Sequence, residues 1–268
     1  DEHGKFDAIV HVAGLTKAIR KSDFDKINFQ YTKNLVEALI EADAVPKSFV
    51  FMSTLGAIGV GDEVNYLPME CNRTPNPNTA YGKSKLLAEN FLKSILNFPY
   101  IILRPTGVYG PNDKDYLILI KAVNKGINVG AGFKKQILSF IYIDDLVDIV
   151  YSCIEKNVSQ KEYYVSDGRG YTDDEFNKIV QQALQKKRVL RLKIPLFIVK
   201  AAAYVSEKVG ELLNKPLTFN TDKYKIMKQR NWMCDISPLE KDIDFKPNYY
   251  LKEGVEETVA WYKKKGWL

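Results

Sequence analysis

The sequence predicts an α/β fold, a parallel sheet covered by helices and joined to a smaller, mostly helical lobe. Three observations predict it. Between residues 7 and 105, apolar strand patterns alternate with helical ones, the order that builds a parallel sheet. The carboxyl ends of those strands, Ala13-Gly14, Ser53-Thr54 and Pro105-Thr106, are small or polar, as a ligand-facing rim requires. After Pro111 the helical patterns dominate.

Each element has its own local reason. "DAIVHVAG" (7–14) and "KSFVFMST" (47–54) are short apolar runs that read as buried strands. Between them, 22–44 opens on Ser22 and carries apolar residues three and four apart, so it reads as a helix. A loop rich in Gly, Pro and Asn spans about 55–77. The stretch beginning "NTAYGKSKLLAEN" predicts a helix over 78–97, and "YIILRP" (100–105) a third strand stopped by Pro105. Further on, 114–126 reads as a helix and 137–156 as a strand leading into a helix whose start carries Asp144 and Asp145. A strand follows at 162–168. Thr172 and Glu175 form a capping box for a helix over 172–184. A strand at 189–194, an amphipathic helix at 195–213 and a last helix at 250–266 complete the reading. Residues 1–111, with returning elements at about 137–168, are expected to form the sheet domain; about 112–136 and 169–268 form the second lobe.

Composition excludes several functional classes. The 268 residues are 46% hydrophobic and 27% charged, ordinary values for a globular chain. The net charge is +6. Its densest clusters, Lys186–Arg188 and Lys263–Lys265, read as solvated helix ends rather than a nucleic-acid patch. The basic balance suits attraction of an anionic ligand. Cys71, Cys153 and Cys234 lie far apart, and with only His3 and His11 beside them no metal-binding cluster is expected. That cysteine usage and an N-terminus unlike a signal peptide point to the cytoplasm. No apolar run reaches the roughly 18 residues of a membrane span, so no membrane partner is expected.

Tyr81 and Lys85 carry the chemistry. Four residues apart, they share one helix face. One reading is an exposed amphipathic helix with Leu86, Leu87 and Phe91 as its apolar stripe. The other is a proton-transfer pair. A phenol with its usual pKa near 10 is a poor base at neutral pH, and a cation within a few ångströms lowers it by roughly 1 to 3 units.

Taken together and in order, "HVAG", "MST", "AYGKSK", "RPTGVYGP" and "FIYIDDL" resemble the extended short-chain dehydrogenase/reductase superfamily, and within it the NAD-dependent epimerase/dehydratase family. The resemblance runs from about residue 7 to the C-terminus. It implies a Rossmann-like doubly wound sheet, NAD or NADP as cofactor, and a secondary alcohol or ketone as substrate. Tyr81 would exchange the substrate proton, Lys85 would also hold the nicotinamide ribose, and Thr54 would orient the substrate oxygen, with Ser53 as second choice. Ala13 and Gly14 would let the cofactor approach the backbone, Pro105 and Val108 would lie near the nicotinamide, and Asn28 would organise the backbone of the site. His11 reads as a sheet residue, and Asp144 and Asp145 as a helix cap that braces the site. Relatives pair through the helices at 22–44 and 78–97, which implies a homodimer.

The sequence also departs from that pattern. It has no glycine-rich turn between a first strand and helix; "GAIGVG" (56–61) is followed by a proline-containing loop and "GINVGAG" (126–132) by a strand. By the family pattern "DAIVHVAG" is the fourth strand, and roughly sixty residues that normally precede it, with the phosphate cradle, are missing. The expectation is an N-terminally incomplete sheet from a longer enzyme, with weak or no cofactor binding. Leu55 and Gly56 stand where 4,6-dehydratases carry Asp-Glu, which argues against that reaction, and "LSF" (138–140) replaces the "RDF" of many nucleotide-sugar enzymes. Nucleotide-sugar epimerisation and reduction of a non-nucleotide carbonyl remain the two enzymatic readings. The alternative is a catalytically inactive binding or structural protein of the same fold.

Overall fold

The computed structural model describes residues 5–268. In chain order, β1 (Ala8–His11) leads into one helical rod: α1 (Lys21–Phe24), a π-helical segment over Asp25–Gln30, and α2 (Tyr31–Glu41). Then come β2 (Ser48–Met52), a 3₁₀ turn at Leu55–Ala57, α3 (Ala80–Ser94) and β3 (Tyr100–Pro105). The next group is β4 (Gly107–Tyr109), α4 (Asp115–Asn124), β5 (Ile127–Ala131), β6 (Ile137–Leu138), β7 (Phe140–Tyr142) and α5 (Ile143–Glu155). After β8 (Lys161–Val165) follow β9 (Tyr171–Thr172), α6 (Asp173–Ala183), β10 (Leu190–Ile194) and α7 (Leu196–Leu212). The chain closes with α8 (Thr221–Lys228), α9 (Ser237–Ile243) and α10 (Leu251–Lys264).

The main sheet has the order β1-β2-β3-β8, with every pair parallel. Its inner strands are apolar in continuous runs because both faces are covered. On one face Phe49, Phe51 and Ile102 pack with Val36, Ala88 and Leu92 of α2 and α3. On the other, Val50, Ile101 and Leu103 pack with Leu146 and Ile149 of α5 and Leu239 and Ile243 of α9. The pairings Val50–Ile101 and Phe51–Ile102 keep these two sets in register. A separate core joins Tyr109, Phe140 and Tyr142 to Phe176 of α6 and Val255 and Tyr262 of α10. Three two-stranded ribbons, β4–β7, β6–β9 and β5–β10, lie outside the main sheet.

Most expected elements form. The capping box of α6 is present in both directions. Asp145 is buried, and its carboxylate accepts from the amides of Asn248 and Tyr249 at 3.0 Å, bracing the entry to α10. Three features differ from the sequence reading. The first long helix contains a π segment, which no periodicity reveals. "GINVGAG" is itself strand β5. Helices α8 and α9 occupy a stretch that carried no clear pattern, and Cys234–Phe245 returns to the main sheet core.

Inside the sheet lies a charged network. Arg104 of β3 and Glu89 of α3 are both buried and form a two-pronged ion pair at 2.7–3.2 Å; the Ser53 hydroxyl donates to the same carboxylate, and Arg104 also reaches Glu162 of β8. Arg104→Met is expected to strand the Glu89 charge and cost about 3–5 kcal/mol in urea unfolding. Arg104→Met combined with Glu89→Leu is expected to lose less than the single variants' sum.

Candidate active site

The carboxyl ends of β1, β2 and β3 meet the first turns of α3. Thr79 caps that helix, accepting from the Gly82 amide at 3.0 Å, and Asp222 of α8 accepts from the Ala80 amide at 2.7 Å. Gly82 has no room for a side chain, since a Cβ would overlap the Gly56 carbonyl. The helix therefore packs backbone to backbone on the turn after Thr54, which sets Tyr81 and Lys85 at the rim.

Lys85 is buried. Its Nζ donates to the Met52 carbonyl at 2.8 Å and lies 4.7 Å from the centroid of the Phe51 ring. Burial lowers its pKa to about 8, opposed by the Glu89 carboxylate one turn along. The exposed backbone after β1 lies alongside. A Cβ on Gly14 would stand 3.3 Å from Lys85 Nζ and 2.9 Å from Asn28 Oδ1. Asn28, fully buried in the π segment, clamps that backbone: its Oδ1 accepts from Leu15 N at 2.7 Å, and its Nδ2 donates to Leu15 O and Ser84 Oγ at 3.0 Å. The wider π turn is a common device at functional positions.

Tyr81 is half-buried, its ring edge-on to Phe24 at 6.0 Å. Burial pushes its phenol up to about 12. That is opposite to the direction expected from a neighbouring cation. Desolvation decides the phenol's state, while one Lys85 donor is engaged by the Met52 carbonyl and the ammonium lies over the Phe51 ring. In the chain alone Tyr81 is an acid, not a phenolate.

The remaining expected residues divide. Thr54 is half-buried at the end of β2, and its Oγ1 accepts from Gly56 N at 3.1 Å, leaving its proton free to donate. Ala13 is exposed beside Gly14. Ser53 turns away from the rim into the Glu89–Arg104 network. Pro105 is buried at the end of β3, and Val108 packs on the main core from β4. His11 lies half-buried between Phe49 and Phe51 and shares a hydrogen bond of 2.9 Å with Thr32, as a sheet residue should. Sequence reasoning missed Phe24, Asp222 and the Met52 carbonyl, which no local pattern marks. It also missed Asp167, buried just past β8, whose carboxyl burial pushes up to about 6. A "VSDG" turn after a strand was the available signal. Among the described residues no group of three or more His, Cys, Asp or Glu could hold a metal ion.

Fold and rim together define a nucleotide-binding class of α/β protein, with a tyrosine and a lysine at the carboxyl edge of a parallel sheet. The model of the NAD dependent epimerase/dehydratase family matches residues 1–166. The chain belongs to that family. It is 28% identical over 258 residues to UDP-glucose 4-epimerase of Vibrio cholerae, covering 94% of this chain and 74% of the relative. It is 26% identical over 266 residues to ceramide reductase of Caulobacter vibrioides, covering 98% and 76%. Among solved structures it resembles RMD from Pseudomonas aeruginosa complexed with NADPH, with a TM-score of 0.75 at 17% identity, covering 97% of this chain and 82% of that one.

Three measurements check this site. Between pH 8 and 10.5, unfolded Lys85 keeps a proton that the fold releases. Stability is therefore expected to rise with pH across that window, and Lys85→Met to flatten the rise. Above pH 10 the raised Tyr81 phenol works the other way, because the fold keeps a proton that the unfolded chain loses. A lysine Cε resonance titrating near 8 and missing in Lys85→Met would verify the assignment; a midpoint at 10.5 would refute it. Asn28→Ala is expected to speed hydrogen exchange at the Leu15 amide and to cost about 1–3 kcal/mol.

Proposed function

We propose that the chain performs the proton-transfer chemistry of an NAD(P)-dependent oxidoreductase or epimerase acting on a secondary alcohol or its ketone. The observation that carries this reading is the Lys85 ammonium beside the open backbone of Gly14, with Tyr81 one turn earlier on the same helix α3. A nicotinamide dinucleotide would supply hydride donation and acceptance. The residues present fit its nicotinamide–ribose end: Gly14 carries no side chain to block approach, and the Lys85 ammonium lies next to it. Lys85 is the group to hold the ribose hydroxyls, with Asn28 fixing the backbone beneath. Among the described residues no glycine-rich strand–turn–helix is available for the pyrophosphate.

The chain's own groups then have distinct tasks. Tyr81, protonated at neutral pH, donates to the carbonyl oxygen in reduction. In the oxidative direction it must first release its own proton to solvent, and the positive charges of Lys85 and an oxidised nicotinamide ring would favour that phenolate, which then takes the substrate hydroxyl proton. Thr54 donates its free hydroxyl proton to the same oxygen and orients it. Phe24 covers one edge of Tyr81 and shields it from water. Buried Leu55, with Gly56 beside it, leaves no carboxylates at the position used for dehydration. The substrate is carried by the second lobe, residues 112–136 and 169–268. Both readings of it have support: one relative's name specifies a UDP-sugar, another's a ceramide. A homodimer through α2 and α3 belongs to the same proposal, with Tyr31, Ile40 and Leu87 exposed on those helices.

Conversion of UDP-glucose to its epimer, followed by chromatography of the product because the cofactor is regenerated, and reduction of a long-chain ketone, followed by loss of reduced-cofactor fluorescence, test the proposal. Tyr81→Phe is expected to lower kcat by about 10²- to 10⁴-fold with cofactor affinity unchanged. Cofactor binding with no Tyr81-dependent turnover would favour the inactive binding protein instead.

A further inference from the structure

The outer face of α7 serves none of the roles above. Val199, Ala203 and Gly210 turn inward, while Phe197, Ile198, Tyr204, Val205, Val209 and Leu212 are exposed, Phe197 by 73% and Leu212 by 85%. At 3.6 residues per turn these six fall within an arc of about 140° that also takes in Ala201 and Lys208, the lysine paired with Glu211. An ordinary surface helix shows the reverse, with polar residues outward. The adjoining ribbon continues the surface. Leu190 pairs with Ile127 and Leu192 with Val129, and all four side chains are exposed. Between ribbon and helix opens a cavity of about 210 Å³ walled by Val129, Ile194, Ile198, Ala202, Phe219 and Met227. The hollow is open and its lining apolar, so it suits a hydrocarbon group better than ordered water.

Charge singles out the same segment. Residues 186–215 hold eight Lys or Arg against two Glu, an excess of six that matches the whole chain's net charge of +6. Arg191 and Lys193 pair with Asp174 and Asp173 of α6, and Lys208 with Glu211; Lys200 and Lys215 form no ion pair among the described residues.

We propose that this surface docks on an anionic phospholipid bilayer. Helix α7 lies in the plane of the interface, its exposed apolar side chains at the acyl boundary and its flanking cations among the lipid phosphates. No described helix is long and apolar enough to cross a membrane. The expectation of no membrane partner rested on spans, and that criterion does not address a helix lying in the interface. A second copy is a poor occupant, because a two-fold contact through this face would set two segments against each other that stay net positive even after Asp173 and Asp174 are counted. The bilayer supplies both the apolar phase and the countercharge. The cavity borders α8, whose Asp222 holds the start of α3, so the docked face lies one short helix from Tyr81.

Co-sedimentation with phosphatidylcholine vesicles containing about a third phosphatidylserine tests this. The protein is expected to pellet with them, and the triple variant Phe197→Ser, Val205→Ser, Leu212→Ser to lose at least about tenfold in lipid affinity. Lys200→Glu with Lys215→Glu is expected to weaken binding and remove its dependence on phosphatidylserine. All five positions are exposed, so unchanged circular dichroism is expected to accompany the loss. A protein that stays in the supernatant, or a triple variant that binds like the parent, overturns the proposal. So does a lipid-free dimer that the triple variant splits while neither form binds vesicles.

Discussion

Glu89 and Arg104 meet where neither touches solvent, and the site depends on that meeting. The pair joins α3 to β3, the Ser53 hydroxyl adds the end of β2, and Glu162 adds β8. One buried carboxylate therefore sets the height of α3 over three strands. Two buried charges in a sheet core are costly unless both are satisfied, and here the guanidinium fork and the hydroxyl satisfy them. Such a pair contributes less to net stability than to uniqueness. Slide α3 by a turn and Glu89 loses every partner. Since Tyr81, Lys85 and Glu89 stand at successive four-residue steps of one helix, the constraint that seats the carboxylate also seats the amine and the phenol.

The same carboxylate acts electrostatically. Lys85 sits in surroundings that disfavour its charge, and Glu89 is the group that opposes this, leaving the amine poised near 8. An amine in that state needs an acceptor, and the Met52 carbonyl provides it. The phenol receives no such help in the chain alone. The pair is thus not pre-charged as a base. Its protonated tyrosine suits donation, and the oxidative direction requires added positive charge at the rim.

Helix α8 touches both this site and the apolar surface of β5, β10 and α7, through Asp222 and Met227. If both proposals hold, a proton-donating rim near a lipid-docking surface suits an amphiphilic substrate as well as a soluble one. The family contains relatives whose names point each way. Loop composition does not separate them, because the apolar surface is assembled from β5, β10, α7 and α8, four elements spread over a hundred residues of chain.

Much of the fold was legible in the residues themselves. Apolar runs at Ser48–Met52 and Tyr100–Pro105, the Thr172–Glu175 box and the four-residue spacing of Tyr81 and Lys85 are local facts, written in periods of two and 3.6. They determine which segments become strands or helices and which side chains share a face. Tertiary structure alone decided the rest. It turned Ser53 inward to Glu89, widened the helix around Asn28, gave Lys85 a carbonyl 33 positions away, raised the Tyr81 phenol instead of lowering it, and left the apolar side of α7 uncovered. The physical reason is common to all of these. Desolvation and hydrogen-bond partnership depend on what distant parts of the chain bring to one place, and no local pattern records that.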